Sequence, residues 1–164
     1  MNLLALDPGI RGCGVALFRD RTLGWCAYVR SGSKAPDLLG VLDMAQAVVG
    51  WVEPQEVHQL AVEWPQVYAG SKQKGDPNDL IALAGVVAAV CTRFPGAVVT
   101  RYKPRDWKGQ VPKEVIQARI LGDVRPGRLS IEEVSAFRDA ACPPSLQHNV
   151  LDAIGIGLHF FGRL

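Results

Sequence analysis

The chain lacks a long hydrophobic run. Its longest, residues 80–91, falls short of the ~20 apolar residues that cross a bilayer, so no membrane partner is expected. The first apolar run, residues 3–6, is broken at once by Asp7-Pro8-Gly9, which argues against a signal peptide. Cysteine is scarce. The four, at 13, 26, 91 and 142, include no pair with the two-residue spacing of a zinc knuckle or redox motif. Cys13, Cys26 and Cys91 lie in apolar runs and read as buried free thiols, at home in a reducing cytoplasm. Charge of one sign is also missing. A net charge of +2 gives no global basic field, so any affinity for nucleic acid must come from local clustering. No repeat or low-complexity tract appears. With 48% hydrophobic and 21% charged residues, disorder is excluded, and 164 residues make one domain, 1–164.

What is present reads as an α/β protein. Leu3-Leu4-Ala5-Leu6 is a continuous apolar run of the kind found in a strand covered on both faces. Residues 14–29 read as a hairpin broken at Arg19-Asp20-Arg21. Apolar residues then recur at helical spacing over 38–52, a fourth strand is expected over 57–63, and 64–74 reads as a long exposed loop. Asp76-Pro77 opens a helix running to about Thr92, and 97–100 is a fifth strand. Short helices are expected over 112–121 and after the capping-box pattern Ser130-Ile131-Glu132-Glu133, and a last helix runs to about Phe161. Strand–helix–strand units imply right-handed crossovers between parallel strands. The leading hairpin adds antiparallel strands. The expected architecture is a mixed five-stranded sheet, three strands antiparallel and two parallel, with helices on both faces.

Three acidic residues stand out against this frame. Asp7 ends a wholly apolar strand, and Glu63 ends a second one in the same way. If those strands are neighbours, ~4.8 Å apart, both carboxylates emerge at one edge of the sheet. Two carboxylates at ~4 Å repel by roughly 4 kcal/mol at an effective dielectric of 20, so a shared proton, a basic partner or a divalent cation must offset the repulsion. Asp152 is the third. Between Val150 and Phe161 only Asp152 and His159 carry polar side chains, and His148, Asp152, Gly155 and His159 share one helical stripe. Hard oxygen donors without thiolates suit Mg²⁺ or Mn²⁺, and two such ions can assist an in-line phosphodiester displacement. The plainer alternative is that these acids cap turns or bond to buried polar groups. His148 is either a ligand and proton carrier or a local hydrogen-bonder, His159 reads as structural, and Asn149 could reach the metal edge.

Asp7-Pro8-Gly9-Ile10-Arg11-Gly12-Cys13-Gly14 resembles the opening motif of the RuvC family of Holliday junction resolvases, of the ribonuclease H-like superfold. Ala61-Val62-Glu63 resembles that family's second acidic motif, and His148-Asn149-Val150-Leu151-Asp152-Ala153 its terminal motif. Lys113, after Trp107-Lys108-Gly109, is similar to its lysine-bearing segment. The small phage-encoded members are the most similar in kind. The resemblance spans nearly the whole chain. It implies a homodimer, acting in the cytoplasm of a bacterial or phage-infected cell, that binds four-way DNA junctions and nicks two opposing strands with Mg²⁺. It makes Asp7, Glu63 and Asp152 metal ligands. The family often carries a second acid three residues before the last aspartate, where this chain has Asn149, so the fourth ligand is open between His148 and Asn149.

Basic residues cluster near the same edge. Lys72 and Lys74 follow Glu63, and Arg101, Lys103, Arg105, Lys108 and Lys113 follow the fifth strand, suited to phosphate contacts or, more plainly, to a solvated loop. Trp64, Tyr68 and Trp107 are interleaved and could stack on unpaired bases, or pack in the core. The resemblance points to Tyr68 for stacking at the crossover and leaves Arg11 to anchor its turn or touch phosphate. The helix over 80–91 is apolar nearly all round. Either a partner's equivalent helix or the 38–52 segment covers its second face. The reading that results is a metal-dependent, structure-selective endonuclease with no small-molecule cofactor. The alternatives are a nuclease of this fold acting on RNA precursors or other branched DNA, and a non-catalytic junction-binding protein.

Overall fold

The computed structural model describes residues 1–33, 37–52, 55–67, 76–122 and 129–164. Its strands are β1 (Asn2–Asp7), β2 (Gly12–Arg19), β3 (Thr22–Arg30), β4 (Gln59–Glu63) and β5 (Val98–Tyr102). Its helices are α1 (Leu38–Val52), α2 (Pro77–Thr92), α3 (Pro104–Lys108), α4 (Lys113–Ile120), α5 (Ile131–Arg138) and α6 (Gln147–Phe160). The sheet order is β3-β2-β1-β4-β5. β2 runs antiparallel to both of its neighbours, β1 and β3, and β4 and β5 join β1 as parallel strands. This is the mixed five-stranded sheet expected from the sequence. Among the described residues no helix is long and apolar enough to cross a membrane.

The period of two along the strands divides the core. Leu3, Ala5, Ala16, Phe18 and Ala61 face α6, which buries Val150, Ile154 and Leu158 against them. Leu4, Leu6, Val15, Leu60 and Val62 face the other way, onto Val41, Met44 and Val48 of α1 and Val86 and Val90 of α2. The α1 helix therefore covers much of α2 within one chain, in place of a partner's helix. Leu38, Leu39 and Ile81, at the N-terminal ends of the two helices, remain more than 70% exposed.

The helix ends follow their sequence signals. Asp76 accepts a hydrogen bond from the Asn78 amide with Pro77 in the first position, and Ser130 and Glu133 form a reciprocal capping box. Helix α3 goes unseen in the sequence because it is a single turn, fixed by Pro104 and by Asp106, whose carboxylate accepts from the Lys103 amide at 2.8 Å. Glu133 does more than cap. It is 2% exposed, accepts from the Leu23 amide at 2.6 Å, and holds Arg163 in a two-pronged pair at 2.9 and 2.7 Å. The buried charge is thus fully partnered, and it ties α5, β3 and the C-terminal residues together.

The placement of α6 depends on missing side chains. Gly14 lies opposite Asp7 in the β1–β2 register, and a Cβ there would overlap the backbone carbonyl of Asn149. Gly157 likewise leaves room for the Phe18 ring. The start of α6 therefore rests directly on β2 beside Asp7, one turn before Asp152. Gly14→Ala is expected to force helix and sheet apart and to destabilise the fold by about 1–3 kcal/mol, lowering Tm by about 2–12 °C. Gly50→Ala, on α1 with nothing within 4 Å of its added Cβ, is expected to raise stability by about 0.5–1 kcal/mol. Paired thermal melts check both directions.

Candidate active site at the carboxyl edge of the sheet

Leu6 pairs with Val62 across the parallel β1–β4 ladder, which sets Asp7 and Glu63 side by side one residue further on. Both continue the alternation of Leu3, Ala5 and Ala61, so both turn toward α6. From α6, Asp152 is buried at 7% exposure. Asp7 keeps some solvent access but is enclosed by protein on most sides, and its carboxyl is held well above the usual carboxylate range. Burial is the largest cause, followed by the negative charges of Glu63 and Asp152; Lys108 and Lys113 pull weakly in the opposite direction. The three acids predicted from sequence thus meet electrostatically at one rim of the fold.

Cations already stand among them. The Lys108 ammonium lies 3.3 Å from Glu63 Oε2, and the Lys113 ammonium 3.5 Å from Asp152 Oδ2. The sequence leaves both lysines open between phosphate contacts and a solvated loop; in the structure each partners a carboxylate. Of the two readings the sequence leaves for Trp107, stacking on a base or packing in the core, the structure shows packing. Trp107 is 4% exposed, its indole N–H donates to Glu63 Oε2 at 2.8 Å, and its ring fills the space left by Gly155. It is packed rather than open to a base, and it positions Glu63. Lys108 lies over the same ring, 4.7 Å from its centroid.

The remaining candidates divide by location. His148 is half-buried in the first turn of α6. Asn149 donates its side-chain amide back to the Leu146 carbonyl at 3.4 Å. His159, about three turns further along, packs edge-on against Tyr102 at 4.8 Å. Arg11, Lys103 and Arg105 are exposed around the same edge, and Trp64 is half-buried. Tyr68, Lys72 and Lys74 lie outside the described residues. Burial pushes the Cys13 and Cys26 thiols up to about 12, which fits inert core thiols rather than nucleophiles.

The donor set matches a hard divalent cation in kind: oxygen atoms only, from three elements, with like-charge repulsion that a cation would relieve. Among the described residues, however, no three His, Cys, Asp or Glu side chains are grouped closely enough to hold one ion as they lie. The two lysine ammonium groups provide the positive charge in this arrangement.

No family model matches the sequence, and no curated protein matches it. Solved structures do. Thermus thermophilus RuvC in complex with a Holliday junction substrate is similar with a TM-score of 0.65 and 19% identity, over 99% of this chain and 96% of that one. Thermus thermophilus RuvC in a second structure gives 0.63 and 18%, over 99% and 98%. The fowlpox virus Holliday junction resolvase gives 0.60 and 11%, over 99% and 98%. At these identities the shared property is the fold, a RuvC-like, ribonuclease H-type arrangement covering the whole chain.

Because the carboxyl of Asp7 is raised on folding, its ionisation works against the native state. Its favourable contribution is complete below the ordinary aspartate pKa and is lost as pH rises through the higher folded value. Asp7→Asn is therefore expected to raise Tm at pH 7–8 in the presence of a chelator, by about 2–4 °C for ~1 kcal/mol. The gain should shrink as pH falls and both proteins become neutral at this position. Thermal melts from pH 4 to 8 measure it.

Proposed function

We propose that this protein is a junction-resolving DNA endonuclease that hydrolyses phosphodiester bonds at its acidic edge. The observation that carries the reading is the meeting of Asp7, Glu63 and Asp152 at the carboxyl edge of a sheet with the RuvC-type order. In support, the neighbours of the same fold include a RuvC complexed with a Holliday junction and a viral Holliday junction resolvase.

In this reading Asp7, Glu63 and Asp152 hold Mg²⁺ or Mn²⁺, with His148 or Asn149 as further donor. The ions supply Lewis acidity and a nucleophilic water when bound. The chain's own residues do the rest. Trp107 and Lys108 fix the orientation of Glu63. Lys113 holds Asp152, and its ammonium is placed to meet the negative charge that develops on a phosphate between the carboxylates. His148, one helical turn before Asp152, handles the proton of the attacking water or the leaving oxygen. Arg11, Lys103 and Arg105, exposed around the edge, grip flanking phosphates.

A homodimer matches a substrate with two equivalent cleavage points. The exposed Leu38, Leu39, Leu42 and Ile81 at the ends of α1 and α2 provide an apolar patch for it. Leu39→Glu is expected to give a monomer by light scattering, where the unaltered chain is a dimer.

The deciding experiment is cleavage of an end-labelled four-way junction with Mg²⁺ or Mn²⁺, alongside linear duplex and RNA. Paired symmetric nicks in the junction alone are expected. Asp7→Asn should bind the junction with near-normal affinity but cut it at least about 100-fold more slowly, beyond the 10–100-fold typical of outer-shell partners. Equal cutting of linear duplex or RNA would favour the broader nuclease reading. Binding without cutting by the unaltered protein would leave a junction-binding role.

A further inference from the structure

The β1–β2 turn, residues 8–11, follows directly on Asp7. A hollow of about 490 Å³ opens around it, within the range of small-ligand sites. Its walls are chemically mixed: Ile10 and Leu83 are apolar, Tyr28 gives an aromatic ring, and Arg11 and Asp79 give one charge of each sign. Among the described residues, neither the Arg11 nor the Asp79 side chain makes an ion pair or hydrogen bond.

The topology explains the hollow. Asp7 pairs with Gly14, and Gly14 pairs with Tyr28 on the next strand, so the three form one row across the sheet on the face that bears α6. Gly12 has no side chain to block the Tyr28 hydroxyl, and the Arg30 guanidinium backs the tyrosine ring at 5.9 Å from its centroid. On the other side, α2 begins at the same edge and brings Asp79 in its first turn and Leu83 one turn on. The hollow thus lies beside the acidic centre, with its floor formed by the residues that directly follow Asp7.

We propose that this hollow is a base-reading subsite that receives the nucleotide next to the scissile phosphate. The inference rests on the nuclease reading and deepens it. A phosphate alone does not suit the hollow, because Asp79 would repel it. An apolar ligand would leave both charges without use. A nucleotide satisfies every wall: its phosphate meets Arg11, its base stacks against Tyr28 and the apolar side chains, and its edge meets Asp79. An ionised carboxylate only accepts hydrogen bonds, so Asp79 selects a base that offers an amino group. Cytosine, adenine and guanine present one, at N4, N6 and N2, and thymine alone has none. Asp79 acts here as a specificity residue and takes no part in the bond-breaking step.

The test uses the full-length protein with Mg²⁺ or Mn²⁺ and junctions identical except for the bases flanking each mapped cut. The unaltered protein is expected to cut at cytosine, adenine or guanine at least about tenfold faster than at thymine in one flanking position. Asp79→Ala should reduce that ratio to within about twofold. Asp79→Asn, of the same shape but able to donate, should restore cutting at thymine. Circular dichroism confirms that both variants fold, and the exposed position of Asp79 makes the asparagine variant a safe second probe. If the unaltered protein cuts every junction but with no base preference, or if its preference survives both substitutions, the subsite is wrong and the nuclease reading stands. If the unaltered protein cuts no junction, the nuclease reading itself is wrong and the subsite falls with it.

Discussion

Like-charge crowding at the sheet edge is the constraint to which the rest of this structure responds. Parallel pairing of β1 and β4 gives Asp7 and Glu63 no freedom to separate, because neighbouring strands keep a spacing of ~4.8 Å and the same pleat turns both side chains to the same face. Burying Asp152 from α6 adds a third negative charge. A fold stabilised only by apolar contacts would tolerate such an edge poorly, since neutral residues there would cost nothing in repulsion. Two lysines from a single stretch, Lys108 and Lys113, offset it by reaching back to Glu63 and Asp152. The short helices α3 and α4 have a clear role in this light: they carry counter-charges to an edge that the sheet itself cannot neutralise.

The same constraint accounts for the glycines. Asp152 reaches the rim only because α6 approaches the sheet at backbone distance, and Gly14 permits that approach by offering no Cβ to the carbonyl of Asn149. Further along α6, Gly155 admits the Trp107 ring, whose indole N–H then holds Glu63. Each glycine costs helical or strand propensity locally, by about 0.5–1 kcal/mol. In return each allows a contact that sets one of the three carboxylates. The helix interior thus gives up stability at the positions where the acidic edge needs close packing.

Much of this was legible in the sequence, for reasons that can be named. A charged residue at the end of an otherwise apolar strand is a strong signal, and it occurs twice, in Asp7 and Glu63. An aspartate within the apolar run 150–158 is equally conspicuous. The mix of parallel and antiparallel strands followed from the alternation of strand and helix patterns, while the adjacency of β1 and β4 was a condition that only the pairing in the structure meets. What stayed hidden were pairings between distant segments. For Trp107 the local sequence leaves base stacking and core packing both open, and Gly155, nearly fifty residues later, decides that it is buried. Lys108 and Lys113 stay open between phosphate contacts and a solvated loop for a similar reason: sequence shows a basic cluster but not which carboxylate each ammonium meets. Glu133 was visible as a cap, while its buried pairing with Arg163 depends on where the chain ends in space. Asp79 stands in the first turn of α2, and nothing local in the sequence indicates that it lines a hollow together with Arg11.

The location of the cations separates two roles that composition merges. Lys108 and Lys113 are at the carboxylates and offset charge within the protein. Arg11, Lys103 and Arg105 are outside that set and exposed. A polyanion approaching the edge therefore meets exposed guanidinium and ammonium groups first and the neutralised acids only at closest approach. This order matters, because the bare acidic edge would repel a phosphate, and a protein with net charge of only +2 has little long-range field with which to overcome that repulsion. Local arrangement substitutes for global charge. The near-neutral composition that offers no hint of nucleic-acid binding is compatible with it once the cations are sorted by what each one faces.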